Sequence, residues 1–341
     1  MNPTVNSRHV IAVRTGGPKV LRLETYEPAA PGSGEVLLRN QAVGVAFADV
    51  LIREGLYPGY KPPIVPGYEV IGRVTALGPG VTGVAVGDYV AALTVVGGYA
   101  SDVIVPANDL VPVPESLAPE VAAALVLNGL TAYQLLERCC PADLSSIAVF
   151  GAGGGVGSIL LDLARQRGLT TYGFGGRDKH PAIAAKGAIP LERNDPVRAL
   201  RAVAPKGVSA VFDGVGGRNA KRSFAMLGEG GTLVMFGVQG LMDQGRRNYF
   251  RLARELLFQP RWSALSIFSA NRGIVGYKID VRKRDHPAHY RADLAAVFAL
   301  AAAGVIQPLI DRIFELAEAS AAHTRMNEGH HTGKIVLRIG G

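Results

Sequence analysis

Short apolar runs separated by Gly and Pro dominate the N-terminal part of the chain. From Val10 to about Val121 they are rich in Val and Ile, and they include 36–40, 69–75, 88–92 and 102–106. β-Branched residues bounded by Gly and Pro are typical of strands. This part of the chain is therefore predicted to form a barrel-like β domain.

A different pattern begins near Leu125, where apolar runs alternate with stretches long enough for amphipathic helices. The runs lie near 146–150, 169–174, 209–212, 232–236 and 274–277. Strands that alternate with helices are typical of βαβ units and of a parallel sheet. We therefore predict an α/β domain over 124–277, a doubly wound parallel sheet of the Rossmann type.

The C-terminal tail has one alanine-rich helical stretch, 292–303, and two strand patterns, at 310–314 and 333–339. The parallel sheet is complete in sequence order before the tail begins, so the last strand must pair elsewhere. We expect residues 278–341 to return to the first domain, residues 1–123. A chain of 341 residues is long enough for two hydrophobic cores.

The junction after the run at 146–150 carries a glycine-rich turn, Gly151-Ala-Gly-Gly-Gly-Val-Gly157. A turn without bulky side chains lets the backbone approach phosphate oxygens, and the N-terminus of the next helix attracts their charge. Glycine at position 152 would complete the usual G-x-G-x-x-G spacing, but Ala stands there. A structural turn is the alternative. We expect cofactor pyrophosphate to be bound by Ala152, Gly154, Gly155, Val156 and Gly157.

Composition narrows the class of protein. Lys and Arg total 36 against 28 Asp and Glu, which gives a net charge of +8. This charge weakly favours an anionic ligand. The basic residues are too scattered along the chain to indicate a nucleic-acid-binding surface. The apolar runs are shorter than a membrane span and the N-terminus lacks a signal-peptide pattern, so we expect a soluble, cytoplasmic protein. Cys139 and Cys140 are adjacent and match no disulfide or metal pattern. Pro287, between His286 and His289, speaks against a metal site there.

Further motifs follow one another in a specific order: Phe47-Ala-Asp49, Arg53-Glu-Gly-Leu-Tyr57, Pro66-Gly-Tyr-Glu69, Gly87-Asp88, Gly97-Gly-Tyr-Ala100, Thr131-Ala-Tyr133, Gly154-Gly-Val-Gly157, Asp213-Gly-Val-Gly-Gly217 and Gly333-Lys334. Together they resemble the medium-chain dehydrogenase/reductase superfamily and, within it, the zinc-independent quinone oxidoreductase branch. Three segments, 56–60, 65–69 and 271–277, are similar to the synaptic-vesicle membrane protein homologues of that branch. The resemblance implies a GroES-like catalytic domain made from both chain ends, an inserted Rossmann domain, a cofactor in the cleft and a homodimer.

The resemblance also indicates which chemistry is missing. Zinc-dependent relatives hold zinc with Cys, with the His of a Gly-His-Glu motif, and with a third Cys or Asp. The corresponding positions here are Ala46, Tyr68 and Leu127, none of which is a zinc ligand. The four-cysteine structural lobe is missing too. Zinc alcohol dehydrogenase chemistry is therefore excluded on ligand count.

The end of the second Rossmann strand favours NADPH over NADH. NAD-specific domains have an acidic residue there that bonds the ribose hydroxyls, whereas this strand runs into Gly175-Gly-Arg-Asp-Lys179. One charge-assisted hydrogen bond contributes about 1.5–3 kcal/mol, enough to shift cofactor preference roughly ten- to a hundredfold. We predict that Gly175, Arg177 and Lys179 bind the adenosine end of NADPH. Asp178 is a counterargument, and two solvated loop cations are the alternative.

At the reacting end, hydride delivery to a quinone or an enone leaves negative charge on a carbonyl oxygen, which hydrogen-bond donors must stabilise. The resemblance implies an Asn and a Tyr in this region. Ala46 stands in place of the Asn, and Tyr57 is kept. Tyr57 is the candidate catalytic donor, with a packing role for its ring as the alternative. The resemblance also assigns cofactor contacts to Thr131, Phe236, Gly237, Val238, Phe268 and Lys334.

Two functions of different classes fit these residues. The first is a zinc-independent, NADPH-dependent oxidoreductase that reduces quinones or the C=C bond of α,β-unsaturated carbonyls. The second is an NADPH-binding protein with little turnover that binds RNA or a membrane-associated partner. Loops around Tyr57 and Tyr60 and the segment 241–262 would select the substrate. The arginines and aromatic residues of that segment are consistent with either a lid or a partner surface.

Overall fold

The computed structural model of the chain describes residues 7–241 and 257–340. The chain divides into two compact units. The first unit comprises Met1–Leu127, His286–Ala303 and Ile310–Gly341, and the second unit comprises Asn128–Asp285 and Gly304–Leu309. The sequence-based limits at 123 and 277 lie near these boundaries. Residues 278–285 and 304–309, expected in the returning tail, group with the second unit.

The first unit is built on a mostly antiparallel sheet of seven strands, with a separate two-stranded hairpin beside it. The hairpin strands are β1 (Ser7–Ala12) and β2 (Leu21–Tyr26). The strands of the sheet are β3 (Glu35–Val45), β4 (Glu69–Leu77), β5 (Tyr89–Leu93), β6 (Asp102–Pro106), β7 (Val111–Pro112), β14 (Ile310–Glu315) and β15 (Lys334–Arg338). The order is β14-β15-β3-β4-β5-β7, and β6 also pairs with β3. The prediction of strands in the N-terminal part is confirmed.

The C-terminal strand completes this sheet. β15 pairs antiparallel with β3, with Ile335 opposite Val45 and Leu337 opposite Val43, and all four side chains are fully buried. β14 lies parallel to β15 on its other side. Every second side chain of a strand points to the same face, so this pairing places the apolar residues of both chain ends in one core. The last strand of the tail therefore belongs to the sheet of the first unit, whereas residues 278–285 and 304–309 group with the second unit.

The second unit contains a six-stranded parallel sheet. Its strands are β8 (Ser146–Phe150), β9 (Thr170–Gly175), β10 (Ile189–Glu192), β11 (Val208–Asp213), β12 (Leu227–Met235) and β13 (Gly273–Gly276). The order is β10-β9-β8-β11-β12-β13. The chain therefore builds outward from β8, then returns and builds in the other direction from β11. Ligands of such sheets bind outside the carboxyl ends of the strands at this reversal. The predicted doubly wound sheet is confirmed.

The described helices are mostly short. They are α1 (Phe47–Arg53), α2 (Pro119–Arg138), α3 (Gly155–Gln166), α4 (His180–Ala185), α5 (Pro196–Val203), α6 (Asn219–Ala225), α7 (Ala264–Ala270), α8 (Ile279–Asp285), α9 (Pro287–Ala302) and α10 (Ala319–Glu328). The alanine-rich helix, predicted over 292–303, begins at Pro287 because proline is well suited to the first helical turn. Within the described ranges, no helix has the length and apolar character that crossing a membrane requires.

Candidate functional site

The glycine-rich turn lies at the carboxyl end of β8, beside the reversal of the sheet. Gly151 has a φ of +69°, in the left-handed region that glycine adopts most easily. Gly157 lies so close to the turn that an added Cβ would overlap the Gly151 carbonyl oxygen. α3 begins at Gly155, and its N-cap, Gly154, has no side chain to cap it. The turn therefore presents bare backbone, and the first N–H groups of α3 have no side-chain cap, an arrangement that suits an anionic ligand.

Ala152, the departure from the usual glycine spacing, has a packing reason. Its side chain is fully buried, and its backbone N–H donates to the Phe174 carbonyl at 3.2 Å. On the neighbouring β9, a Cβ added to Gly173 would lie 2.9 Å from the Ala152 methyl carbon. The Ala152 methyl group thus fills space that Gly173 leaves open. The side chain of Ala152 packs in the sheet, and its backbone N–H bonds to the neighbouring strand.

The predicted adenosine-end residues lie at the carboxyl end of β9. Gly175 is the last residue of β9, and Arg177 and Lys179 follow it in one short 3-10 turn. The side chain of Lys179 lies over the glycine turn, since an added Cβ on Gly153 would lie 3.0 Å from the Lys179 Cβ. The structure therefore brings Lys179 and the glycine turn together.

Arg177 has a partner that the sequence analysis did not consider. Its Nε donates to the Glu192 carboxylate at the end of β10, while 85 % of the Arg177 side chain is exposed. Glu192 pairs in register with Gly175, so parallel pairing of β9 and β10 carries the carboxylate to this edge. A carboxylate beside the guanidinium offsets part of the charge that would attract a 2′-phosphate.

The segment 236–238 lies beside the end of β11. The Phe236 N–H donates to the Asp213 carbonyl at 3.0 Å, and an added Cβ on Gly214 would lie 3.0 Å from the Phe236 ring. An added Cβ on Gly237 would overlap the Gly214 carbonyl oxygen. Val238 is half-exposed next to them. The Asp213 carboxylate is fully buried and fixes the turn that follows β11. It accepts hydrogen bonds from Val215, Gly216, Asn219 and Ser223.

The remaining cofactor predictions are Thr131, Phe268 and Lys334. Thr131 is buried on α2 in the second unit. Phe268 lies on α7 with 81 % of its surface exposed, so it is not packed against segment 236–238. Lys334 lies in the first unit, where its buried Nζ is 2.7 Å from the Glu69 carboxylate. Added atoms on Gly44 would overlap both members of this ion pair, so a glycine in β3 makes room for it.

Tyr57, the candidate catalytic donor, is hydrogen-bonded to a second tyrosine. The two hydroxyl oxygens of Tyr57 and Tyr68 are 2.7 Å apart, and Tyr68 is 2 % exposed. The ring of Tyr60 lies 5.7 Å from that of Tyr57, centroid to centroid. In the sequence analysis Tyr68 counted only as a lost zinc ligand. The structure makes it the residue that orients the Tyr57 hydroxyl.

A buried carboxylate holds the two segments that carry these residues. Asp49 accepts the Ala46 N–H at 2.8 Å and the Gly67 N–H at 3.0 Å, which fixes the start of α1 to the residue before Tyr68. Burial raises the pKa of Asp49 to about 7. The backbone N–H donors, and the charge of Lys334, act against this rise in pKa.

The network continues through residues that the sequence analysis did not identify. The Tyr99 hydroxyl lies 3.3 Å from Asp49 and 3.0 Å from the His323 Nε2, and the His323 Nδ1 lies 2.8 Å from the Arg53 guanidinium. His323 is fully buried, and this burial, with the Arg53 charge, holds its pKa well below the usual value. His323 and Arg53 are 270 positions apart in the chain, so no local sequence signal points to the pair.

At the three lost zinc positions, the groups present make other bonds. The Ala46 N–H donates a hydrogen bond to the Asp49 carboxylate, and the Leu127 N–H donates to the Glu69 carboxylate at 2.8 Å. The Tyr68 hydroxyl is hydrogen-bonded to the Tyr57 hydroxyl. His286 and His289 stack ring on ring, 5.4 Å apart. Across residues 7–241 and 257–340, no three His, Cys, Asp or Glu side chains are grouped to hold a metal ion. Residues 242–256 of the segment 241–262 lie outside the described residues.

Comparison with known proteins places this fold and site in a family. Residues 32–115 match the alcohol dehydrogenase GroES-like domain, and residues 186–337 match the zinc-binding dehydrogenase domain. The chain is 32 % identical over 340 residues to the human synaptic vesicle membrane protein VAT-1 homolog, which covers 97 % of this chain and 86 % of that protein. It is 32 % identical over 339 residues to the 2-haloacrylate reductase of a Burkholderia species, covering 95 % and 96 %.

A solved structure agrees. The Escherichia coli quinone oxidoreductase complexed with NADPH superposes with a TM-score of 0.84 at 26 % identity, covering 97 % of this chain and 100 % of that one. The chain belongs to the medium-chain dehydrogenase/reductase superfamily of oxidoreductases, in the quinone oxidoreductase branch.

Proposed function

We propose that this protein is an NADPH-dependent oxidoreductase that works without zinc and reduces quinones or the C=C bond of α,β-unsaturated carbonyls. The observation that carries the proposal is the glycine turn at the reversal of the parallel sheet, followed by the uncapped N-terminus of α3. NADPH bound there would supply the hydride. The related E. coli structure contains NADPH, and 2-haloacrylate, named in the Burkholderia reductase, is an α,β-unsaturated acid.

The residues of the second unit would hold the cofactor. Backbone N–H groups of Gly155, Val156 and Gly157 would bind the pyrophosphate. The N–H groups of Ala152 and Gly154 donate to the carbonyls of Phe174 and Gly151, so cofactor contacts by these two residues stay predictions. At the adenosine end, Lys179 already lies over the turn, and Arg177 would exchange Glu192 for the 2′-phosphate. The nicotinamide end would contact Thr131, the segment 236–238 and Phe268. A cofactor contact for Lys334 stays a prediction, since its ammonium group is paired with Glu69.

Tyr57 would donate a hydrogen bond to the carbonyl oxygen on which negative charge develops. Its bond with Tyr68 fixes the direction of the hydroxyl, and the buried Asp49 fixes the segment before Tyr68. Such a preorganised donor needs little rearrangement as the charge forms. With Ala46 in place of the Asn of the family, this tyrosine pair supplies the polar contact.

The zinc-independent part of the proposal rests on Ala46, Tyr68 and Leu127, which replace the metal ligands of zinc-dependent relatives. We further propose a homodimer, which the resemblance implies, and the cytoplasmic location that the sequence analysis expects. The net charge of +8 and the similarity to a protein named for synaptic vesicles favour the second candidate function. In that case the chain binds NADPH with little turnover and acts through RNA or a membrane-associated partner.

A matched set of substrates tests the proposal. We expect the purified chain to oxidise NADPH with benzoquinone or cyclohexenone and not with cyclohexanone, because only the conjugated compounds have an electron-poor C=C bond whose reduction by hydride places negative charge on a carbonyl oxygen. Turnover of cyclohexanone alone would contradict the substrate class. Calorimetric binding of NADPH without turnover of any acceptor would favour the second candidate, which a titration with single-stranded RNA over a salt series then tests through its salt dependence.

A further inference from the structure

Asn128 places a buried polar side chain directly against the glycine turn. It lies on α2 in the second unit and is 8 % exposed. Its Nδ2 stands so close to Gly155 that an added Cβ on that glycine would overlap the amide nitrogen. Gly155 is the first residue of α3. The amide of Asn128 therefore lies at the helix N-terminus where the pyrophosphate is proposed to bind.

Within the described part of the chain, the Asn128 side chain makes no hydrogen bond. A polar side chain with so little exposed surface normally has a hydrogen-bond partner, either in the protein or in an ordered water or ligand. Asn219 in the same unit shows the usual situation, since its amide bonds to Asp213 at 3.0 Å. An amide donor without an acceptor, beside a turn that is proposed to bind a ligand, indicates that the ligand supplies the acceptor.

The neighbouring backbone groups are donors as well. The first intrahelical bond of α3 is donated by Ser158 to the Gly154 carbonyl at 2.9 Å, so the N–H groups of Gly155, Val156 and Gly157 precede it. Together with the Nδ2 of Asn128, these N–H groups are hydrogen-bond donors at the N-terminus of α3. Convergent donors at a helix N-terminus favour an anion.

We propose that Asn128 is a cofactor-binding residue whose side-chain amide donates to the pyrophosphate beside Gly155. The inference rests on the proposed binding of NADPH and adds a side-chain contact from α2 to the backbone contacts of α3. It also gives a second reason for glycine at position 155: the space of its Cβ is taken by the amide. Because NADPH, NADH and ADP-ribose share the pyrophosphate, Asn128 acts equally on all three.

Calorimetric titration of the full chain with NADPH, NADH and ADP-ribose tests the proposal. We expect Asn128→Ala to weaken all three by about tenfold or more, the effect of one hydrogen bond to a charged group. Asn128→Asp keeps the shape but places a negative charge beside the pyrophosphate, so it should weaken binding further. Gln166→Glu, the same chemical change at the exposed far end of α3, should leave the three affinities unchanged.

Further arms separate the possible failures. Normal affinities in Asn128→Ala would overturn the proposal, whereas absence of binding by the natural chain would overturn the proposed function instead. Weakened NADPH with unchanged ADP-ribose would move the contact to the nicotinamide end and so overturn the pyrophosphate assignment. Thermal unfolding without ligand checks that Asn128→Ala is folded, so that a loss of affinity in the folded variant reports the missing contact.

A double-substitution cycle checks the link between the two residues. The methyl group of Gly155→Ala would displace the amide, so we expect it to weaken ADP-ribose binding clearly in the natural chain and less in the Asn128→Ala background. An equal loss in both backgrounds would show that Gly155 acts without Asn128, and would overturn the second reason given for this glycine.

Discussion

Individual side chains of the first unit hold one another in place through hydrogen bonds. Tyr68, at a position where the resemblance implies a zinc-binding histidine in zinc-dependent relatives, is buried and bonded to Tyr57. Asp49 accepts hydrogen bonds from the backbone of Ala46 and Gly67. These polar groups thus have partners, which is the condition for burying them. We infer that these hydrogen bonds orient the Tyr57 hydroxyl.

The tyrosine pair is open to a direct kinetic test. We expect Tyr57→Phe to lower kcat at least about tenfold while the dissociation constant of NADPH stays the same, because the lost hydroxyl acts on the substrate oxygen. Tyr68→Phe should lower kcat less, since the Tyr57 hydroxyl remains but is no longer oriented. Steady-state rates with benzoquinone and calorimetry with NADPH measure both. A larger effect at Tyr68 than at Tyr57 would contradict the assigned roles.

Asp49 gives the protein a specific dependence of stability on pH. The pKa of Asp49 is about 7 in the folded state, against an ordinary value of 3.8 that applies to the unfolded chain. Between pH 3.8 and pH 7 the folded state therefore binds more protons than the unfolded state. The stability that this group contributes is present below pH 3.8 and is lost as the pH rises through 7. The free energy of unfolding of Asp49→Asn, minus that of the natural chain, should therefore rise from pH 5 to pH 7 and then level off. Urea unfolding at several pH values measures the difference.

His323 should show the opposite slope. Its folded pKa lies below the usual value of 6.5, so the unfolded chain takes up a proton below pH 6.5 that the folded chain does not. Its contribution to stability is lost as the pH falls below 6.5. The free energy of unfolding of His323→Gln, minus that of the natural chain, should therefore rise as the pH falls from 6.5 to 5. If the difference does not change over this interval, then His323 is not held neutral by burial.

At the level of strands, parallel pairing decides what surrounds the adenosine end. β9 and β10 lie side by side with Glu192 opposite Gly175, so both strands deliver charged residues to one edge. The basic residues were visible in the sequence because they follow a glycine-ended strand directly. Glu192 was not weighed, because it lies on the next strand and only the pairing register brings it to Arg177.

This pairing predicts how cofactor preference changes on substitution. We expect Glu192→Gln to tighten NADPH binding about fivefold without changing NADH binding, since one carboxylate near a phosphate repels it by roughly 1 kcal/mol in water. Arg177→Ala should weaken NADPH binding and leave NADH unaffected. The ratio of the two dissociation constants, measured by calorimetry, is the readout. Equal changes for both coenzymes would show that neither residue acts on the 2′-phosphate.

Each of the two units has its own buried apolar residues. One core of the first unit joins residues from both chain ends, including Val43, Val45, Phe314, Ile335 and Leu337. In the second unit, a core covers one face of the parallel sheet, and Trp262 lies against it. Trp262 is the single tryptophan of the sequence, and its ring is 5.6 Å from Phe224. Its fluorescence therefore reports the folding of the second unit.

Cofactor binding should stabilise this unit measurably. A ligand present at a hundred times its dissociation constant stabilises the folded state by about 2.7 kcal/mol. We expect NADPH at that excess to move the urea transition seen by Trp262 to higher concentration, and ADP-ribose to do the same. An unchanged transition, at concentrations that calorimetry shows to be saturating, would mean that the cofactor does not bind the second unit.

Much of the architecture could be predicted because it depends on local pattern. Apolar runs bounded by Gly and Pro located β3, β4, β5 and β6, the strand patterns of the tail located β14 and β15, and apolar runs between helical stretches located β8, β9, β11, β12 and β13. The glycine turn was visible because its residues are contiguous, and the return of the tail followed from one unpaired strand. These features depend on the periodicity of the backbone, which the sequence carries directly.

The sequence by itself determined the two-unit fold, the glycine turn, the absence of zinc ligands at three positions and the candidates Tyr57, Arg177 and Lys179. Only the tertiary structure decided the partners: Tyr68 for Tyr57, Glu192 for Arg177, His323 for Arg53 and Tyr99, and Asn128 for the turn at Gly155. The physical reason is distance along the chain. Periodicity and turn chemistry act between near neighbours, whereas a hydrogen bond or a steric contact between distant residues exists only once the strands and helices have packed.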